Sequence, residues 1–152
     1  MKLSEALILR ADYQKRLEQL KLRLVNNAKI QDGDEVAEAP DLLLDQVEVL
    51  LNNLKQLIQR INKTNLQTEF APGLSLTDAL AERDVLMLKR NIYQELLNET
   101  VVRQDRFTRS EVKFRITINI AQTQKQADEL AQSYRELDTK IQEVNWRTEL
   151  PT

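Results

Sequence analysis

The chain has 152 residues, of which 30% are charged and 5% aromatic, with two Gly, three Pro, and neither Cys nor His. That inventory excludes a disulfide framework, a thiolate zinc site, a cysteine nucleophile and an imidazole base or metal ligand, and a formal net charge of −2 gives no overall pull toward nucleic acid or anionic lipid. Few turn residues and many charges predict a mainly α protein of long, solvated helices. One domain over residues 1–152 suffices, because a compact chain of this length hides about 68 to 70% of the surface its unfolded form exposes.

The opening MKLSEALILRADYQKR meets Glu5, Arg10 and Asp12 at once, so it lacks the unbroken apolar run of a secretory signal. Nothing in the chain approaches the roughly 18 apolar residues of a membrane-spanning helix. A cytoplasmic location is the expectation, and the Asn-x-Thr triplets at Asn62 and Asn98 then have no glycosylation compartment. From Leu3 to Ile30 the residues Leu7, Ala11, Leu17, Leu20, Leu24 and Ala28 predict an amphipathic first helix, with Ser4 as its N-cap and Gly33 as the left-handed residue that ends it.

Residues 31–50 carry seven acids and no Lys or Arg. Pro40 suits a first helical position, and Asp41 sits where the helix dipole favours negative charge. The second helix then shows a heptad seam at Leu43, Val47, Leu50, Leu54, Leu57 and Ile61, widened by Leu44, Leu51 and Ile58. Between Asn62 and Leu76 the helix breaks at EFAPGLSL, a Pro-Gly turn between short alternating runs that predicts a hairpin. A third helix runs from Thr77, its cap, to about Thr100 through Leu80, Leu86, Met87, Tyr93 and Leu97, interrupted by Arg83, Asp84 and Arg90.

From Val112 the pattern changes period. Val112, Phe114, Ile116, Ile118 and Ile120 alternate with Lys113, Arg115, Thr117 and Asn119, which predicts a short strand pairing with the 66–76 segment. A fourth helix, from about Ala121 to Asn145, follows with a seam at Ala127, Leu130, Tyr134, Leu137, Ile141 and Val144. The expected fold is therefore mainly α: four long amphipathic helices in an antiparallel bundle or coiled-coil-like arrangement, with a small β element at about 66–76 and 110–118.

Chemical motifs are weak. Ser110-x-x-Lys113 matches the letters of an activated serine, but on a strand those residues point to opposite faces. Glu35-x-x-Glu38 has the spacing of a divalent-cation pair without the second acidic pair that such a site needs, and Asp32 and Asp34 begin a calcium loop whose later ligand and glycine positions hold Val36 and Ala37. No cofactor is called for. The run RQDRFTRSEVKFR places Arg103, Arg106, Arg109, Lys113 and Arg115 against two acids, with Phe107 and Phe114 interleaved. Two aromatics make nucleic-acid binding a poor reading, and docking onto the acidic 31–50 stretch or a plain solvated surface is preferred. Arg83 and Arg90, seven residues apart, share one side of their helix, where with Arg103, Arg106 and Arg109 they are candidate ligands for a phosphate or other anion.

The blocks MKLSEALILRADYQKRLEQLKLRL, LTDALAERDVL, RQDRFTRSEVKF and ADELAQSYRELDTKIQEVNW together resemble the bacterial septicolysin family over nearly the whole chain. The family name implies a cytolysin, while the resemblance transfers no active-site residue to any position here. Nine alternating residues do match one barrel-crossing strand of about 9 to 11 residues, but a pore-forming hairpin needs a companion, and Leu66–Phe70 and Leu74–Leu76 are too short.

The expected function is a non-enzymatic oligomerisation or protein-interaction module, a homo-oligomer or the docking site of an unidentified protein. The residues carrying it are the seam positions Leu43, Val47, Leu50, Leu54, Leu57, Ile61, Leu130, Tyr134, Leu137 and Ile141, with Trp146 as an anchor. A membrane-active cytolysin and a phosphate- or nucleotide-binding protein are the alternatives.

Overall fold

The computed structural model describes residues 1–101 and 113–152, so Arg103, Arg106, Arg109 and positions 110–112 of the expected strand lie outside the described residues. Among the described residues there are four helices, α1 (Leu3–Asn27), α2 (Pro40–Gln67), α3 (Leu76–Glu99) and α4 (Ile120–Arg147). Two short strands, β1 (Glu69–Ala71) and β2 (Leu74–Ser75), form an antiparallel hairpin between α2 and α3. The chain divides into two compact units, residues 1–77 with 142–152, and residues 78–141.

In the first unit α1 packs against α2. The inward face of α1 is Leu3, Ala6, Arg10, Tyr13, Leu17, Leu20, Leu24 and Asn27, a strict three-four stepping of buried and half-buried residues. The face expected from Leu7, Ala11 and Ala28 is displaced from it, and Ala11 and Ala28 are exposed. Alanines fit either face of a helix, so they misplace a stripe that Leu3, Leu20 and their neighbours define. On α2 the seam is where the heptad puts it: Leu43, Leu57 and Ile61 are buried, and Val47, Leu50 and Leu54 half-buried.

The helix ends differ from expectation for local reasons. Lys2, not Ser4, is the N-cap of α1; the Glu5 carboxylate accepts the Lys2 backbone N–H at 2.7 Å, and Ser4 is buried in the first turn. The far end closes at Asn27, whose side-chain amide donates to the Arg23 carbonyl at 2.8 Å, well before Gly33. Gly33 instead takes φ +91° in the turn that Asp34 N–H closes onto the Gln31 carbonyl at 3.0 Å. Helix α2 runs six residues past Ile61 because the seam continues in Thr64 and Thr68, whose hydroxyls bond back to Arg60 O at 2.9 Å and Thr64 O at 2.7 Å. Pro72 and Gly73, the latter at φ +76°, then make the hairpin turn.

The two ends of the chain close against each other in the same unit. Leu3 N–H donates to Thr148 O at 2.9 Å and Leu150 N–H to Met1 O at 2.8 Å, around an antiparallel bridge of Lys2 with Glu149. Leu3 and Leu150 are buried beneath it, and Arg60 Nε holds the Pro151 carbonyl at 3.0 Å. The Glu149 carboxylate accepts from Lys2 Nζ at 2.5 Å and lies 3.4 Å from the Met1 amino group; both cations hold its pKa below the ordinary carboxylate value, the Lys2 hydrogen bond most.

The second unit holds residues 78–99 of α3 and 120–141 of α4. Asn119 caps α4, its side-chain oxygen accepting Gln122 N–H and its carbonyl accepting Thr123 N–H, each at 3.0 Å. This start is one residue before the expected Ala121. The small β element is present at 69–75, but the described part of the expected strand, 113–118, does not pair with it: residues 113–119 have no regular structure and the sheet has two strands among the described residues. Alternation records which side chains are apolar, whereas a strand needs a ladder partner in reach, and a hairpin of three and two residues offers almost no edge.

Two stability outcomes follow from this packing. Ile61→Ala, at a fully enclosed position, is expected to lower unfolding free energy by about 2 to 5 kcal/mol in urea titrations, and Leu66→Ala on the exposed side of the same helix to stay within about 0.5 kcal/mol. A carboxylate whose folded pKa is depressed stabilises above its unfolded pKa, and the gain fades as pH falls through the folded value. Glu149→Gln should therefore lower the melting temperature near neutral pH, and the difference from wild type should vanish in acid.

Candidate functional site

Helix α3 has an unusual distribution of polarity. Ala79 and Leu97 are buried and Leu80, Leu86, Met87 and Tyr93 half-buried, which is the face the sequence predicts. Arg83 and Arg90 lie in the middle of that same face, about 20° apart on the helical wheel. Arg83 Nη1 donates to Asp138 Oδ1 of α4 at 2.8 Å, a pair with both side chains largely covered. Its ion-pair partner Asp138 lies 55 residues away along the chain. Arg90 is half-buried one heptad further on.

The opposite side of α3 is apolar and open. Val85 is 62% exposed, Leu88 62%, Ile92 64% and Leu96 42%. The first three and Leu96 fall within about 40° of Ile92 on the wheel, about 160° from Arg90. Charged residues flank this stripe, with Asp84 and Glu95 on one side and Glu82 and Lys89 on the other. Sequence reading passed over it because a helix with apolar residues on both faces gives only a weak amphipathic signal. Spacing alone, Val85-x-x-Leu88-x-x-x-Ile92-x-x-x-Leu96, would have found it.

The segment preceding α4 is equally open. Phe114 is 89% exposed and Ile116 is exposed too, alternating with Lys113 and Arg115, while Ile118 is half-buried and Ile120, the first residue of α4, is exposed. From Lys113 to Ile120 there is no acid.

The α1–α2 pair bounds a groove of about 600 Å³, with Tyr13, Arg16 and Arg23 along one wall, Asp45, Gln46 and Asn53 along the other, and Leu20, Val49 and Leu50 as its apolar surface. Its cations are engaged by their own chain. Arg16 Nε lies 2.8 Å from Asp12, and Arg23 Nε donates to both Glu38 oxygens, at 3.2 and 3.0 Å, with a further Arg23 Nη2 contact to Oε1. Asn27 Oδ1 accepts Glu38 N–H at 3.2 Å. The hydrogen bond from Arg23 holds the Glu38 carboxyl below the ordinary range. Glu38 of the Glu35-x-x-Glu38 pair is thus a tether for the connection between α1 and α2. No group of three or more acidic side chains that could hold a metal occurs among the described residues.

The residues expected to carry function are distributed as follows. Leu43, Leu57, Ile61 and Ile141 are buried, and Val47, Leu50, Leu54, Leu130, Tyr134 and Leu137 half-buried, so these seams serve the packing of the chain itself. Leu44 and Leu51, which widen the α2 seam, are exposed, and Trp146 is 60% exposed beside buried Asn145. The arginines are not gathered into one anion site among the described residues: Arg83 is held by Asp138. No helix among the described residues is long and apolar enough to cross a membrane.

A family of unknown function (DUF6847) matches residues 10–150. A solved crystal structure, that of a functionally unknown conserved protein from Corynebacterium diphtheriae, is 44% identical over 99% of each chain, with a TM-score of 0.92. No curated protein matches. These findings overturn the septicolysin resemblance, since both the family and the solved structure are of unknown function and neither is a septicolysin. Three of the four sequence blocks lie on α1, α3 and α4 and are rich in Leu, Glu, Gln and Arg, a composition that unrelated helices also carry.

For the Arg83–Asp138 pair, a double-mutant cycle of Arg83→Met and Asp138→Leu in chemical denaturation is expected to give a favourable coupling of about 1 kcal/mol.

Proposed function

The chain belongs to the family of unknown function DUF6847, and we propose that it works as a non-enzymatic interaction module whose first partner is a second copy of itself. One observation carries this reading: the stripe Val85, Leu88, Ile92 and Leu96, stepping by three, four and four along one side of the helix and 42 to 64% exposed. A helix apolar on two faces normally lies between two packed surfaces. Here the inward face already has its arginines and Leu97, and the outward face has the spacing of a seam without a partner. Four aliphatic side chains held on a rigid helix also lose little entropy on association, which favours docking over a surface of long charged groups.

Sedimentation velocity tests this. Wild type is expected to sediment above its 17.7 kDa monomer mass in a concentration-dependent way, and Leu88→Glu to sediment as a monomer with unchanged helical circular dichroism. A wild-type chain that stays monomeric at every concentration would refute the reading.

A further inference from the structure

We infer that the stripe on α3 is covered by the segment Lys113–Ile120 of a second copy, so that two chains exchange these segments about a twofold axis. The inference rests on the self-association proposed above and names the surface that provides it.

Three features of the second unit support it. Charge comes first. The stripe is bordered by Asp84 and Glu95 on one side and by Glu82 and Lys89 on the other, three acids against one cation, whereas Lys113–Ile120 has two cations and no acid, so the two surfaces are complementary in net charge.

Shape is the second. In an extended chain, Phe114 and Ile116, both exposed, fall on one side about 6.6 Å apart, while Ile118 next along is already half-buried. The rungs of the α3 stripe are separated by about 5 Å along the helix axis. Two side chains about 6.6 Å apart therefore fit within the stripe's length of about 16 Å.

The third is that the two surfaces are open in the same chain. Phe114 is 89% exposed and Ile92 64%, so among the described residues neither surface covers the other. Every copy carries both halves of the contact. A twofold arrangement makes the contact twice and closes the assembly at two chains. The doubled burial also moves the interface toward the roughly 800 Å² per partner of a stable complex.

The test uses full-length chains with one half of the contact broken in each. Ile92→Asp disables the stripe and Phe114→Asp the segment; both residues are exposed, so the fold should remain intact by circular dichroism. Either variant alone should raise the dimer dissociation constant by at least about tenfold in sedimentation equilibrium. An equimolar mixture of the two should recover dimer, because in the mixed pair an intact segment still meets an intact stripe. Added salt should weaken the wild-type dimer. If Phe114→Asp associates like wild type while Ile92→Asp does not, the stripe is an interface but this occupant is wrong. If both variants weaken the dimer and the mixture fails to recover, the exchange is wrong. A monomeric wild type removes this inference together with the function on which it rests.

Discussion

The α1–α2 seam is the constraint on which the first unit depends. Leu43, Leu57 and Ile61 present one stripe of α2, and Leu3, Ala6 and Leu20 the complementary stripe of α1, so two long helices with little intrinsic reason to stay folded in water become mutually stabilising. The closure of the chain ends sits on the same seam, since Leu3 and Leu150 are buried under the Lys2–Glu149 bridge. The hairpin follows as well, because Thr68 ends α2 while its carbonyl accepts Leu76 N–H at 2.8 Å. Remove the seam and none of these contacts has a platform.

Helix α3 answers a different demand. Two arginines occupy the centre of the face it turns inward, and burying a guanidinium is costly unless a carboxylate and hydrogen bonds meet it. Asp138 supplies that for Arg83. The reward for a polar inward pair is geometric, since a charged contact fixes how two helices meet, whereas aliphatic residues tolerate sliding. Apolar residues stand on its outer side as well as around the arginines. This second apolar face distinguishes α3 from the better-patterned α2 and α4.

Much of this was legible in the chain. The heptad of α2 and the Pro72–Gly73 turn follow from spacing and from glycine's access to positive φ. Other features depend on what residues meet far along the chain. The end of α2 is not marked by its apolar seam, which passes at Ile61 to Thr64 and Thr68, whose hydroxyls bond back to the previous turn. Asp138 could have been suspected, as it shares a heptad stepping with Ala127, Ala131, Tyr134, Ile141 and Asn145, but nothing local says that its partner is Arg83. The 113–119 segment has the composition of a strand without the neighbour that would make it one. The α3 stripe was in plain view and lost to averaging, because residues on opposite faces cancel in any measure of one-sidedness.

The connection between α1 and α2 sets one more property of the molecule. Residues 28–37 are exposed throughout, and the acidic run is fastened only near its end, where Arg23 and Asn27 grip Glu38. The two helices it joins meet through side chains that would remain in place if the backbone were cut there. Such a segment is where a protease would nick the chain without releasing its halves, and where foreign sequence could be spliced in while the paired helices stay together.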